Sequence, residues 1–254
     1  MAMKGIDISY AQGNNIDFNA VKESGVEFVI IQIGYGKEAR QKDVCFERNY
    51  AAAKAAGLKV GGYWFSYAES PQEAEQEANA CMTIIKGKTF DMPIYYDLED
   101  DPKAYNGKGY YPFKKGRDHC SALVTAFCTA MERGGYFAGF YISRCPLQTH
   151  ITPQVAERFA LWVAEYAEKC NYSGAYGMWQ CTSTANVPGI NNGVDLDYCN
   201  VDYLTPIRAE GLNGFPKPTP AKTEQQSAPK TEEKPIKITV DLNGSKYSGT
   251  IKKQ

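Results

Sequence analysis

The chain has 254 residues, room for one large domain or for one domain and an appendage at ~150 residues each. A formal charge of -1 excludes a nucleic-acid binder that works by bulk charge, and 43% hydrophobic with 22% charged residues excludes global disorder. No run approaches the ~18 apolar residues of a membrane helix and the start lacks a charged-then-apolar leader, so the expectation is a soluble chain that inserts in no membrane. Met-Ala-Met at the start reads as an added stretch before a native Met3. The averages hide a split: residues 213–254 carry eight Lys against four acids, +4, which leaves -5 on residues 1–212. That body also holds all eight Cys and 30 of the 32 aromatic residues, and flat rings are the usual platform for sugar faces as well as core filler.

Residues 5–9 read as a strand, 17–24 as a short helix and 27–34 (EFVIIQIG) as a buried strand. An Ala-rich helix over 46–56 stops at Gly57, and the strand 59–67 (KVGGYWFSY) follows. Ser70 and Pro71 start a helix that runs to about 86, with Glu73 completing a capping box. Next come a strand over 92–99, a Gly/Tyr/Pro-rich loop, and a helix over 115–133 ended by Gly134 and Gly135. Strands over 136–143, 161–165, 176–181 and 194–199 complete the body, with room only for turns between the last ones. Strand–helix alternation with near-continuous apolar strands indicates an α/β fold with a parallel sheet, and eight strands in ~200 residues indicate a closed barrel.

The eight cysteines (Cys45, Cys81, Cys120, Cys128, Cys145, Cys170, Cys181, Cys199) include no CxxC pair and match no zinc spacing. Reduced, buried thiols are expected, and neither His119 nor His150 lies in a catalytic turn. Gly34-Tyr35-Gly36 and Gly61-Gly62 lack the spacing of a nucleotide loop.

Side chains alternate across a strand, so parity is informative. Ile94 and Leu98 share one face, Asp97 and Glu99 the other; Ile6 and Ile8 face away from Asp7; Val194 and Leu196 face away from Asp195 and Asp197. Carboxylates are thereby aimed at a barrel interior, toward the C-terminal strand ends where barrel enzymes keep their sites. Unpaired charges driven inward cost several kcal/mol each, which makes their joint occurrence a functional signal. Crowding and burial raise proton affinity, so one acid stays protonated while another stays ionised, the division of labour of glycoside hydrolysis. Asp97 and Glu99 have Cα atoms roughly 6.6 Å apart, and the longer Glu99 is the better proton donor. An all-carboxylate set would suit Mg or Ca, but no loop signature accompanies it; no metal and no cofactor are expected.

GIDISYAQG, EFVIIQIGYG, FERNYAAAKAAGLKVGGYWFS, PIYYDLE, FYIS, LWVAEY, WQCTS and GVDLDYC, in that order, resemble glycoside hydrolase family 25, the Chalaropsis-type lysozymes, over residues 3 to about 204. The resemblance implies a modified TIM-like barrel of five β/α units followed by three strands. It implies hydrolysis of the β-1,4 bond between N-acetylmuramic acid and N-acetylglucosamine in bacterial peptidoglycan. Carried over by motif, Glu99 is the general acid, Asp97 sets geometry and charge, Asp7 lines the site and Asp195 is the fourth carboxylate, with Asp197 an alternative for that place. Tyr63 and Phe65 on the third strand, with Tyr35, Tyr141, Trp162 and Trp179 in matching aromatic positions, are candidate sugar platforms, and Gln180 is a hydrogen-bonding candidate. Cys181 stands where family patterns often show Tyr, which alters packing near the site.

Three routes are open. A nucleophilic Asp needs a carboxylate gap of about 5 Å and direct water attack about 6.5 to 9.5 Å. The third uses the substrate's N-acetyl oxygen, oriented by an Asp, and is favoured because the family is generally described as retaining. A non-catalytic peptidoglycan-binding barrel is the rival reading, but the intact acids count against it; the chitinase pattern DxxDxDxE is absent around DLE. Without a leader, the expected setting is a phage endolysin made in the host cytoplasm and released through a holin pore or at lysis; a bacterial autolysin is the alternative.

The catalytic barrel is therefore assigned to 1–212, a Pro/Lys-rich linker to 213–234, and a small β-hairpin to 235–254 with Asn243-Gly244 as its type I′ turn. That turn pairs Val240 with Tyr247, Ile238 with Gly249 and Ile236 with Ile251. A lone hairpin is marginal, so its apolar face needs a partner: other copies of the chain, the wall or the barrel.

Overall fold

The computed structural model describes residues 2–218, 236–242 and 245–251. Eight strands close a barrel in chain order: β1 (Met3–Ile8), β2 (Phe28–Tyr35), β3 (Lys59–Phe65), β4 (Ile94–Asp97), β5 (Ala138–Ser143), β6 (Ala160–Ala164), β7 (Met178–Ala185) and β8 (Val194–Cys199). β1 to β7 are parallel, but β8 runs antiparallel to both β7 and β1, which corrects the all-parallel expectation. The cause is the short connection 186–193: a parallel return needs a crossover of a dozen or more residues.

Helices α1 (Phe18–Glu23), α2 (Phe46–Ala55) and α3 (Pro71–Ile85) follow the first three strands, and a single turn, α4 (Ala104–Gly107), precedes α5 (Arg117–Arg133). Ser70 caps α3 by accepting the Glu73 N–H, but the Glu73 carboxylate takes the Glu69 N–H, so the expected capping box is only half made. Two helices were not expected after β5, α6 (Arg144–His150) and α7 (Pro153–Arg158); each is short, with proline in its first turn, where no N–H is needed. A third, α8 (Leu204–Glu210), follows β8.

Ile6, Ile8, Val29, Ile31, Ile33 and Trp64 point outward and pack with the helices, where Phe127 of α5 stacks on Tyr96 at 4.4 Å. Each such side chain contributes about 1.5–3 kcal/mol by leaving water. Inside, Phe28, Ile30, Met92, Tyr95, Trp162 and Met178 fill the lower barrel. A Cβ at Gly5 would lie 2.1 Å from the Phe28 ring, so only glycine fits there. Five cysteines are buried as expected, but Cys145 is exposed, and Cys170 and Cys181 are partly so.

The assigned linker starts too early. Asn213 is fully buried at the barrel floor, where its amide donates to the Met92 carbonyl (2.9 Å) and its Oδ1 accepts the Phe137 N–H (2.7 Å). Phe215 packs on the inner core, and the body extends through Pro218. The second unit contains β9 (Ile236–Leu242) antiparallel to β10 (Ser245–Ile251), with Val240 opposite Tyr247, Ile238 opposite Gly249 and Ile236 opposite Ile251. The Asn243-Gly244 turn and the segment 219–235 lie outside the described residues.

Candidate active site

β4 alternates Ile94 and Tyr96 toward the helices with Tyr95 and Asp97 toward the interior, and Leu98 just beyond it packs outward as well. Asp97 ends the strand and is 5% exposed; Glu99 lies two residues beyond, half-buried on the wall of a cleft of about 710 Å³. The two carboxyls touch. Burial, then the Glu99 charge, holds the Asp97 proton well above the usual carboxylate range; burial lifts Glu99 too, partly offset by the hydrogen bond from Asp97.

β1 and β8 bring the other acids. Asp7 is directly opposite Asp195, and Asp197 stands beside Gly5 on one side and Gln180 on the other. Because β8 is reversed, Asp195 reaches the upper rim from the start of its strand, not from its C-terminal end as expected. Like charges placed directly opposite destabilise a sheet, and burial answers by retaining protons. It pushes Asp195 up to about 6 and Asp197 to about 8; for Asp7, burial is joined by the Asp197 and Asp195 charges.

A hydrogen-bonded chain joins the two groups. The Tyr141 hydroxyl, on the strand beside Asp97 and against Glu99, donates to Gln180 Oε1 at 2.9 Å, and Gln180 Nε2 donates to Asp7 Oδ2 at 2.8 Å. Trp162 Nε1 donates to Asp197 Oδ1 at 2.9 Å. No ion pair among the described residues includes any of the five acids. Unpaired, desolvated carboxyls in contact can hold, share and pass protons, which is acid–base machinery.

The model of glycosyl hydrolases family 25 matches residues 6–190. The chain belongs to that family. An autolytic lysozyme of Clostridium acetobutylicum is 32% identical over 196 residues, 77% of this chain and 55% of that protein. The modular autolysin LytC from Streptococcus pneumoniae, solved with a synthetic peptidoglycan ligand, superposes with a TM-score of 0.69 at 27% identity over 78% of this chain and 46% of its own. The bacterial lysozyme from Streptomyces coelicolor shares the fold, with a TM-score of 0.66 at 21% identity over 85% of this chain and 99% of its own. The chain spans about half the length of the first two relatives. The family match ends before β8, so it is barrel closure that brings Asp195 and Asp197 to the site.

In this family 25 barrel Tyr35, Tyr63 and Phe65 line the cleft. Tyr141 and Gln180 are buried and wired into the acids rather than open to a sugar. Trp162 is corrected: it is 2% exposed beneath the acids, hemmed by Tyr63, Tyr95 and Tyr141, and serves as a floor. Trp179 is corrected as well. Its neighbours Met178 and Gln180 point inward, so its own ring points out of the barrel, over Tyr198, with Nε1 on the Glu165 carbonyl.

Sequence reasoning passed over several residues. Tyr67 continues the Tyr63, Phe65 parity into the cleft wall, and its hydroxyl donates to Asp101 at 2.7 Å. Tyr166, 60% exposed, stands near Asp195, Glu99 and Asp7. Asp43 is buried in the opposite wall and accepts the Tyr10 and Cys45 N–H groups. Glu77 of α3 is fully buried and accepts the Tyr67 N–H (2.7 Å) and the Tyr96 hydroxyl (3.1 Å); burial pushes it up to about 8. The parity of Tyr67 was readable; a single acid inside a helix carries no such signal.

Proposed function

We propose that the protein is an N-acetylmuramidase, cleaving the β-1,4 bond between N-acetylmuramic acid and N-acetylglucosamine in peptidoglycan. The contact between Asp97 and Glu99 at the cleft, two carboxyls whose proton affinities burial raises, carries this reading. Support also comes from the relatives, an autolytic lysozyme and an autolysin solved with a peptidoglycan ligand.

The sugar chain lies along Tyr35, Tyr63 and Phe65, and the acetamido N–H of the muramic residue donates to Asp97. That hydrogen bond favours the Asp97 anion and passes the shared proton to Glu99. Glu99 protonates the glycosidic oxygen as the C1–O bond breaks, and the acetamido oxygen bonds C1 from the opposite face. Water then adds at C1 as the C1–oxazoline oxygen bond breaks; its proton goes to Glu99, which restores the acid and retains the anomer. Asp195 faces the cationic centre as the nearby counter-charge. The barrel acts on the wall, either at phage lysis or as an autolysin.

Turbidity of purified walls tests this: wild type clears them, and Glu99→Gln is expected to lose about 10²–10⁴-fold in rate. Clearing by Glu99→Gln at the wild-type rate overturns the acid assignment, and an inverted first product overturns the acetamido route.

A further inference from the structure

Asp197 has no step in that reaction, yet it is fully buried. Its Oδ1 takes the Trp162 N–H, while its Oδ2 is buried with no hydrogen-bond donor among the described residues. The side chain meets the Asp7 carboxyl, whose Oδ2 is already occupied by Gln180. A carboxyl oxygen sealed from water and facing another carboxyl is satisfied only when a proton lies between them.

Among the described residues no cation faces the pair. Asp195 of β8 lies opposite Asp7; Tyr63 of β3 and Tyr141 of β5 face Asp7 with hydroxyls that burial keeps protonated, and the exposed Tyr166 after β6 stands near it as a neutral phenol. Tyr95 of β4 and the Cys181 and Cys199 thiols face Asp197 and are likewise held protonated by burial. Asp195 repels both acids, but Asp7 is directly opposite it on the ladder and bears more of that repulsion, while the Trp162 N–H favours the anion on Asp197.

We propose that Asp7 and Asp197 share one proton as a carboxyl–carboxylate pair, Asp7 being the acid and Asp197 its positioning residue, so that Asp7 meets substrate as a neutral group. The barrel then holds two such pairs, Asp97 with Glu99 and Asp7 with Asp197, joined through Tyr141 and Gln180. A neutral Asp7 leaves the site's negative charge to the acids that answer the cationic centre.

The pair itself stands without the muramidase reading; only the second readout below rests on it. In the full chain, carboxyl ¹³C titration is compared between wild type and Asp197→Asn, with the Asp7 signal assigned by its absence from Asp7→Asn. The introduced amide still accepts from Trp162 and donates to Asp7, so the packing is kept. The Asp7 midpoint is expected to fall by about one to two pH units, and the alkaline limb of wall clearing to move down with it. Identical midpoints overturn the pair. A shifted midpoint with no clearing by wild type keeps the pair and overturns the muramidase. Should Asp197→Asn fail to fold, the infrared C=O band of a protonated carboxyl at pH 7, present in wild type and lost in Asp7→Asn, decides the matter; its absence from wild type overturns the proposal.

Discussion

The lower and upper halves of the barrel interior are built on the same strands with the same alternation, yet one is apolar and the other acidic. On β2 the inward series runs Phe28, Ile30, Gln32; on β4 it runs Tyr95, Asp97; on β1 it passes from Gly5 to Asp7. One pleat, two residues, separates a position that holds the fold together from one that carries chemistry. Asp197 breaks the layering, because β8 is reversed and sets it one pleat lower than Asp195, beside the bare Gly5. The lower layer is thus a dry base that desolvates the layer above and so lifts its proton affinities.

The sharpest contrast is between Glu99→Gln and Phe28→Ala. The first is expected to remove about 10²–10⁴-fold of wall-clearing rate while leaving the urea midpoint within experimental scatter. The second should cost about 3–5 kcal/mol of stability, read from urea unfolding, with the surviving folded fraction still active. If Phe28→Ala left stability untouched, the lower layer would not be the base it is described as.

A smaller effect is set by pH. Asp195 near 6 and Glu77 near 8 bind protons more tightly folded than unfolded. The unfolded chain releases them from about pH 4, so their stabilising contribution is complete below that and is lost progressively up to pH 8. The melting temperature is expected to be lower at pH 8 than at pH 5, and Glu77→Gln to narrow the gap; a gap unchanged in Glu77→Gln removes that residue from the account.

On the cleft wall, Tyr35→Ala or Phe65→Ala should raise KM by about 3–10-fold with kcat little changed, the ~0.5–1.5 kcal/mol of one aromatic contact. Least of all, deleting 219–254 should leave the melting temperature of the body unchanged. A fall in solution mass beyond the deleted segment would support oligomerisation through the hairpin, and a monomer before and after would exclude it.

The acids were legible because strand parity needs only a period of two: Asp7 and Asp195 each stand between aliphatics that name the outer face, and Ile94 and Leu98 name it for Asp97. Trp179 was named from the family resemblance alone; the same parity rule sets it against Gln180, since adjacent residues cannot share a face. The direction of β8 is not written in GVDLDYC, which reads equally well either way; it is written in the short connection before it, which strand–helix alternation does not weigh. Glu77 and Asp43 escaped because a lone acid in a helix or loop looks solvated until its partners, the Tyr67 and Tyr10 N–H groups, come from elsewhere in the fold.

Asn213 carries a consequence for how such a chain can be cut and recombined. Its side chain closes the barrel floor by pairing the Phe137 N–H and the Met92 carbonyl, and Phe215 seals the apolar layer behind it. A shuffling junction placed at 212, where composition changes, would strand those two backbone groups at about 1–3 kcal/mol each. Moved past Pro218, the same junction leaves them paired, so the smallest portable cassette of this barrel is a few residues longer than its acidic composition suggests.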